Sequence, residues 1–275
     1  MFYKEKVDIV CIGKTNLDIL YYVDSIKLEN NNISNFTVLS TGGKATNVAV
    51  NLSKFCLKVR LISCIGNDIF GEFIKNSLEN ILLFTPKIVN TSTAITSIII
   101  DKDGNNTMFH NLGANKFLSE DQIPEKMELS FIQTGIPENT LIRALKNSKI
   151  SFVELSETSQ FEIIKKFKPE MVSLNLQEIQ QISKKQTLKD NIQHLLKYTN
   201  NVILKMGKDG VLYANKKQMI QKKAKKVKVV NTTGAGDAVS AAYLYGYIKK
   251  WDIEKILDFS ISFAAKKIQS HKSTI

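Results

Sequence analysis

The stretch VVNTTGAGDAVSAAYLYGY, from Val229 to Tyr247, decides how the chain is read. Val227, Val229 and Val230 resemble a strand end, residues Asn231 to Gly236 form a turn of small side chains, and a helix is expected from near Asp237. A strand that runs into Gly-Ala-Gly and then a helix presents unpaired backbone N–H groups and the positive end of a helix dipole, a setting suited to phosphate. Gly234 and Gly236 have no Cβ to hold a ligand away. Asp237 puts a carboxylate at the same place, which suits a base beside a phosphate acceptor. Taken alone, the stretch fits equally well a plain turn with Asp237 capping the helix.

Working outward, strand-like and helix-like segments alternate, which predicts an α/β fold with a mostly parallel sheet covered by helices. Val7 to Gly13 is a buried strand by length and flanks. Gly42-Gly43 opens a helix whose apolar face is Ala45, Val48, Ala49, Leu52 and Phe55. Val59 to Ile65 is the next strand and Ile69 to Leu78 a helix. From Leu129 the rhythm resumes, with strands at Leu129 to Gln133, Ser151 to Leu155, Met171 to Leu174 and Val202 to Met206. Helices are expected at Pro137 to Lys146, Gln160 to Phe167 and Asn191 to Tyr198. Val211 to Ala214, Gln218 to Ile220 and Val227 to Val230 read as antiparallel strands, and Ala238 to Ile248 and Ile253 to Ile268 as closing helices. Two segments leave the βα pattern: residues 14–39, with polar Glu29 to Asn32 between apolar pieces, and residues 94–111, a hairpin around Asp101-Lys102-Asp103-Gly104. They read as insertions that form a small β lid on a single domain spanning residues 1–275.

The 275 residues are 43% hydrophobic and 23% charged, the balance of a globular protein able to bury a large core. No apolar run reaches the roughly 20 residues of a membrane span. The N-terminus MFYKEKVDIVCIG reads as a first strand rather than a signal peptide, and Cys11, Cys56 and Cys64 are too few and too scattered for a disulfide framework or zinc site. Both features point to the cytoplasm. The net charge of +12 favours anionic ligands. The basic run from Lys216 to Lys228 has no aromatic residue for stacking on bases, so it is read as a solvated hairpin and no nucleic-acid partner is expected.

Two Gly-rich turns that each open a helix, in STGGKATNVAVNLSKF (Ser40 to Phe55) and NTTGAGD (Asn231 to Asp237), together with IGNDIFGEF, GAN, NxxE and GxxG elements in order, carry a resemblance to the ribokinase-like, or PfkB family, carbohydrate kinases over nearly the whole chain. The resemblance implies a three-layer α/β/α sandwich with a β lid and an ATP-dependent phosphotransferase acting on a sugar hydroxyl. It implies Gly234, Ala235 and Gly236 as an anion hole for the γ-phosphate and Asp237 as general base, kept ionised by the helix dipole and N–H donors. Substrate is expected on Asn16 and Asp18, whose amide and carboxylate match vicinal hydroxyls, and on Gly42, Gly43, Lys44, Asn47 and His110. Nucleotide contacts are expected from Lys205, Gly207, Gly210, Thr233 and Ser262. Asn175 and Glu178 match a magnesium motif acting through water, although Asn-x-x-Glu is also a capping box.

Two departures from the family pattern matter. Leu174 stands where a Pro is usual before the Asn, and Asn231 replaces an Asp associated with a monovalent-cation site, which argues against potassium activation. Other classes are weaker fits. Val239 stands where a dinucleotide fingerprint needs Gly or Ala, no GxxxxGK[ST] is present, and a non-catalytic anion or nucleic-acid binder has no need of Asp237. FHNLGAN (Phe109 to Asn115) looks like a sugar kinase. FAAKKIQSHKST looks like pseudouridine and related nucleoside kinases, so a nucleoside acceptor is the second expectation. An exposed lid sheet would leave open edges, so a homodimer through it is expected.

Overall fold

In a computed structural model of the chain, residues 6–27 and 31–272 are described. The stretch expected as polar at Glu29 to Asn32 therefore lies partly outside the described residues. The first strand, β1 (Ile9–Ile12), lies inside the sheet, held on both sides by parallel partners, β4 (Val59–Ile62) and β10 (Met127–Gln133). Parallel pairing continues from β10 through β11 (Ser148–Glu154), β12 (Met171–Asn175) and β13 (Asn201–Lys205). β14 (Val211–Asn215) and β15 (Met219–Lys222) add an antiparallel edge, and the short β6 (Leu83–Phe84) lies outside β4 to complete nine strands.

The middles of the parallel strands are buried and largely apolar because both faces are covered. Alternate residues enter two separate cores. Ile9, Cys11, Phe131, Phe152 and Ile203 pack with residues of α1 (Lys44–Lys54), α2 (Ile69–Leu78), α7 (Ala235–Ile248) and α8 (Ile253–Lys267). Val10, Ile12, Ile132, Val153 and Val202 pack with α3 (Glu138–Asn147), α4 (Phe161–Phe167), α5 (Leu176–Ile182) and α6 (Leu188–Leu195) on the opposite face. The result is the helix-covered, mostly parallel sheet expected from the alternation, in the three-layer α/β/α sandwich that the resemblance implies. α7 is apolar around its whole circumference, as a helix enclosed between the sheet and α8 must be. Gly246 lets α8 approach, since a Cβ there would lie 2.6 Å from Ile256 Cγ1.

The two segments outside the βα rhythm join in a second sheet, ordered β3-β2-β8-β9, from β2 (Asn16–Tyr22), β3 (Phe36–Gly42), β8 (Ile95–Ile100) and β9 (Asn106–Asn111). Its small core is Leu20, Tyr22, Ile98 and Ile100.

Three expected boundaries change. Val59 to Ile65 is two strands, because the chain breaks at Ser63 and β5 (Cys64–Gly66) leaves to pair with β7 (Lys87–Val89). α6 starts earlier than Asn191, at Leu188, because the Thr187 side chain caps it by accepting from the Asp190 N–H. Val227 to Val230 is not a strand: residues 223–230 have no regular structure, and the N–H groups of Val230 and Asn231 instead donate to Ile268 O beyond α8.

Phe152 is 1% exposed and meets Tyr247 edge-on with ring centroids 4.8 Å apart. Phe152→Ala should lower unfolding free energy by about 3–5 kcal/mol. Urea denaturation should show this as a lower midpoint at unchanged slope.

Candidate active site

Five neighbouring parallel strands deliver a polar residue at or just beyond their C-terminal ends: Lys14 after β1, Gln133 of β10, Glu154 of β11, Asn175 of β12 and Lys205 of β13. All five line one cavity of about 650 Å³, together with the N-terminal ends of α1 and α7 and the inner face of the four-stranded sheet. Open α/β sheets place ligands at this edge, where the strands point their carboxyl ends.

The turn before α7 is a helix entrance rather than a strand-to-helix cap. Gly234 is the residue preceding the helix and has φ 77°, a left-handed conformation that favours glycine. α7 therefore starts at Ala235, two residues earlier than expected, and Asp237 sits in its first turn without capping it. The Ala235 N–H donates to Thr232 O at 3.1 Å, and Asn231 Oδ1 accepts from the Thr233 N–H at 2.8 Å. Among the described residues the amides of Gly234, Gly236 and Asp237 have no acceptor. Unpaired amides at a helix N-terminus are, by the physics of helix ends, suited to an anion.

Asp237 is buried and accepts a 2.7 Å hydrogen bond from Asn47 Nδ2 on α1. Burial pushes its carboxyl above the usual range, with Lys44 and Lys205 pulling the other way. The expected direction is thereby reversed. Desolvation outweighs the dipole and the cationic neighbours, and Asp237 is a stronger base than an exposed aspartate.

Beneath the cavity Glu154, 1% exposed, takes Lys205 Nζ on Oε1 at 2.5 Å and the Ser240 hydroxyl on Oε2 at 2.9 Å. Lys44 Nζ lies 3.7 Å from Glu154 Oε1 and 3.3 Å from Glu178 Oε1, with its side chain one-third exposed to the cavity. Burial raises the Glu154 carboxyl, but Lys205 and Lys44 more than offset it and hold the group below its ordinary range. For Lys44 burial works against the charge, yet Glu154, Glu178 and Asp237 together raise its proton affinity. The site thus holds ionised groups of both signs in fixed positions.

On the lid side, Asn16 Oδ1 accepts from Asn115 Nδ2 at 2.8 Å and Asn16 Nδ2 donates to Thr96 Oγ1 at 3.1 Å. Thr96 Oγ1 lies 3.2 Å from His110 Nδ1. Burial and the nearby Lys14 lower the proton affinity of His110. Asp18 packs over Gly42, where any Cβ would fall 2.1 Å from its carboxyl carbon, and Gly43 at φ 94° passes so close to Lys14 O that a side chain would collide.

Asn16, Asp18, Gly43, Lys44, Asn47, His110, Asn175, Glu178, Lys205, Gly207, Thr233, Gly234, Gly236 and Asp237 therefore converge on the cavity. Gly42, Gly210, Ala235 and Ser262 do not line it. Gly42 serves Asp18 from behind and Ala235 is part of the first helical turn. Gly210 has φ 93° against Lys222 O, and Ser262 donates to Asp258 O of its own helix. Asn175 and Glu178 form the capping box in full: Asn175 Oδ1 accepts from the Glu178 N–H at 2.9 Å and Glu178 Oε2 from the Asn175 N–H at 2.7 Å. Sequence reasoning missed Glu154, Gln133 and Lys14. The available signal was a charged or amide residue ending a buried parallel strand, at the edge where such sheets bind ligands.

The chain belongs to the pfkB family of carbohydrate kinases, whose model matches residues 6–275. It is a phosphotransferase with an alcohol group as acceptor. Among similar proteins are a deoxyribokinase of Salmonella typhi, 26% identical over 94% of this chain and 92% of its own, and a nucleoside kinase of Methanocaldococcus jannaschii, 30% identical over 90% and 85%. A ribokinase structure from Thermotoga maritima superposes with TM-score 0.85 at 26% identity, covering 97% of this chain and 94% of that one. No helix among the described residues is long and apolar enough to cross a membrane.

Replacing Glu154 by Gln leaves the buried Lys205 ammonium without its counter-charge. Unfolding free energy at pH 7 should fall by about 3–5 kcal/mol. Because the folded-state proton affinity of Glu154 is depressed, its contribution is complete above the unfolded carboxyl range and lost as pH falls through the lower folded value. Denaturant titrations should therefore show the two proteins converging below about pH 4.

Proposed function

We propose that the protein transfers the γ-phosphate of ATP to a hydroxyl, a primary one on chemical grounds, of a small sugar, with Asp237 as general base. One observation carries this reading: the Asp237 carboxylate stands beside three unpaired turn amides and is aimed into a cavity that also holds Asn16 and Asp18. The amides of Gly234, Gly236 and Asp237 receive the γ-phosphate oxygens, where charge accumulates during transfer. Asn16, Asp18 and Asn47 fix the acceptor through its hydroxyls. Asp237 takes the proton of the attacking hydroxyl, the new O–P bond forms, the bond to the β-phosphate oxygen breaks, and ADP leaves. Lys44 and Lys205 bring positive charge to the phosphates, and Gly207 and Thr233 border the nucleotide side.

Magnesium fits the residues present. The cavity carboxylates and amides are hard oxygen donors, but no three His, Cys, Asp or Glu side chains among the described residues gather into a metal cluster. That arrangement suits an ion that arrives on ATP, keeps most of its water and touches Asn175 and Glu178 through it. Bound there, it would neutralise phosphate charge. The four-stranded sheet closes over the acceptor as a lid that excludes water. Its edge strands β3 and β9 carry exposed Phe36, Leu39 and Phe109, which supports pairing of two copies through this sheet. A cytoplasmic enzyme is in keeping with three free cysteines.

A nucleoside is the second reading, favoured by the nucleoside kinase relative. An ATP-consumption screen over ribose, deoxyribose, fructose and its phosphates, ketodeoxygluconate, adenosine and pseudouridine separates the two. Phosphorylation of none of them would overturn the proposal. With the best acceptor, Asp237→Asn should reduce kcat by at least about 100-fold. Calorimetric ATP affinity should stay within a small factor, whereas near wild-type kcat would remove Asp237 from the chemistry. The base must be ionised to act and its carboxyl is raised. The acid limb of kcat/KM should therefore fall at a pH above the ordinary aspartate value of about 4.

A further inference from the structure

Lys267, in the last turn of α8, is 0% exposed, and its Nζ has no hydrogen-bond partner among the described residues. A lysine near a helix C-terminus is commonplace, but one whose ammonium is enclosed and unbonded is not. Its surroundings follow from helical register. Phe55, directly after α1, and Phe263 of α8 touch, with ring centroids 4.8 Å apart. One turn from that contact toward the cavity, α1 presents Asn51 and α8 presents Lys267 on the same faces. One turn further along α1 is Asn47, bonded to Asp237. The two helices approach the site from opposite directions. The N-terminal end of α1 lines the cavity, and Ile268, directly after α8, accepts the N–H groups of Val230 and Asn231 that lead into the glycine turn.

The column between the aromatic contact and Asp237 is polar and incompletely bonded. Both side-chain polar atoms of Asn51, Oδ1 of Asn47, Oγ1 of Thr233 and Nζ of Lys267 are buried without hydrogen-bond partners among the described residues. Burial lowers the Lys267 proton affinity to about 8, and Asp237 is the charged group that acts to raise it. Asp237 itself is faced by Lys44 of α1, Lys205 of β13 and Glu154 of β11. The nearby residue at the start of the turn is an amide: Asn231 Nδ2 donates to His271 O at 3.3 Å and Oδ1 accepts from Thr233, so no carboxylate of the turn competes for the ammonium.

We propose that Lys267 is a positioning residue, an interior cation tethered behind the glycine turn that holds negative charge on Asp237 and makes a diffusible monovalent cation unnecessary for turnover. This rests on the reading of Asp237 as the base. Its test has an arm independent of activity: NMR titration of the Asp237 carboxyl in protein labelled with ¹³C at aspartate, wild type against Lys267→Met, which keeps the apolar stem. Removing the cation should move the Asp237 titration upward by about one unit or more. The acid limb of kcat/KM should follow it. Lys267→Ala, which opens room for a small ion, should lose turnover at pH 7 and regain it with ammonium or methylammonium, whereas Lys267→Met should not regain it. Wild type should turn over equally in potassium chloride and tetramethylammonium chloride. An unchanged Asp237 titration in folded Lys267→Met, or a wild type that needs potassium, would overturn the proposal. If both variants fail to fold, the wild-type salt comparison decides it. If no acceptor is phosphorylated, the base reading fails and the carboxyl titration still reports whether Lys267 governs the charge of Asp237.

Discussion

A charged carboxylate with 1% exposure has to be compensated, and Glu154 is compensated by Lys205, Lys44 and Ser240. That requirement organises the floor of the site. Lys205 must end β13 two strands away from β11, Lys44 must open α1, and Ser240 must face inward from the second turn of α7. Three elements distant in sequence are locked to one oxygen pair before any ligand is present. The lysines are held at the floor of the cavity by an internal carboxylate, so their ordering entropy is lost in folding rather than in binding.

Much of this was legible in the chain. The glycine turn, the early Gly-Gly helix and the βα alternation each have a local physical signature, and the sheet, both covering layers and the second sheet follow from them. Convergence of Asn16, Asp18, Lys44, Asn47, Lys205 and Asp237 on one cavity is a property of strand order, and the resemblance supplied that order where spacing could not. Glu154 shows a different limit. A single acid after Ser-Phe-Val has no partner within the local sequence, because Lys205 and Lys44 reach it only through tertiary structure.

The misread elements share a cause. Val227 to Val230 alternates with lysines as a half-buried strand would, but no strand is adjacent to accept it, and its last amide pairs with Ile268 O instead. The acidity of Asp237 was judged from the helix dipole, a local quantity, whereas its surroundings decide the outcome: enclosure by α1, α7 and the sheet desolvates it. Local chemistry singled out the group, and its enclosure, which local chemistry does not report, sets the direction of its proton affinity.

Contacts at and around the cavity span long stretches of chain. Asn47 reaches Asp237 across 190 positions, and away from the cavity the Tyr22 hydroxyl donates to His271 O across 249. Even the first strand, β1, depends on Ser130 and its neighbours for one of its two ladders. The entropy of closing such loops grows only logarithmically with their length, so the equilibrium cost is modest, but the search is slow. The Asn47–Asp237 contact at the cavity is accordingly expected among the slower contacts to form, so a partly folded molecule can possess most of the sheet while the cavity is still open.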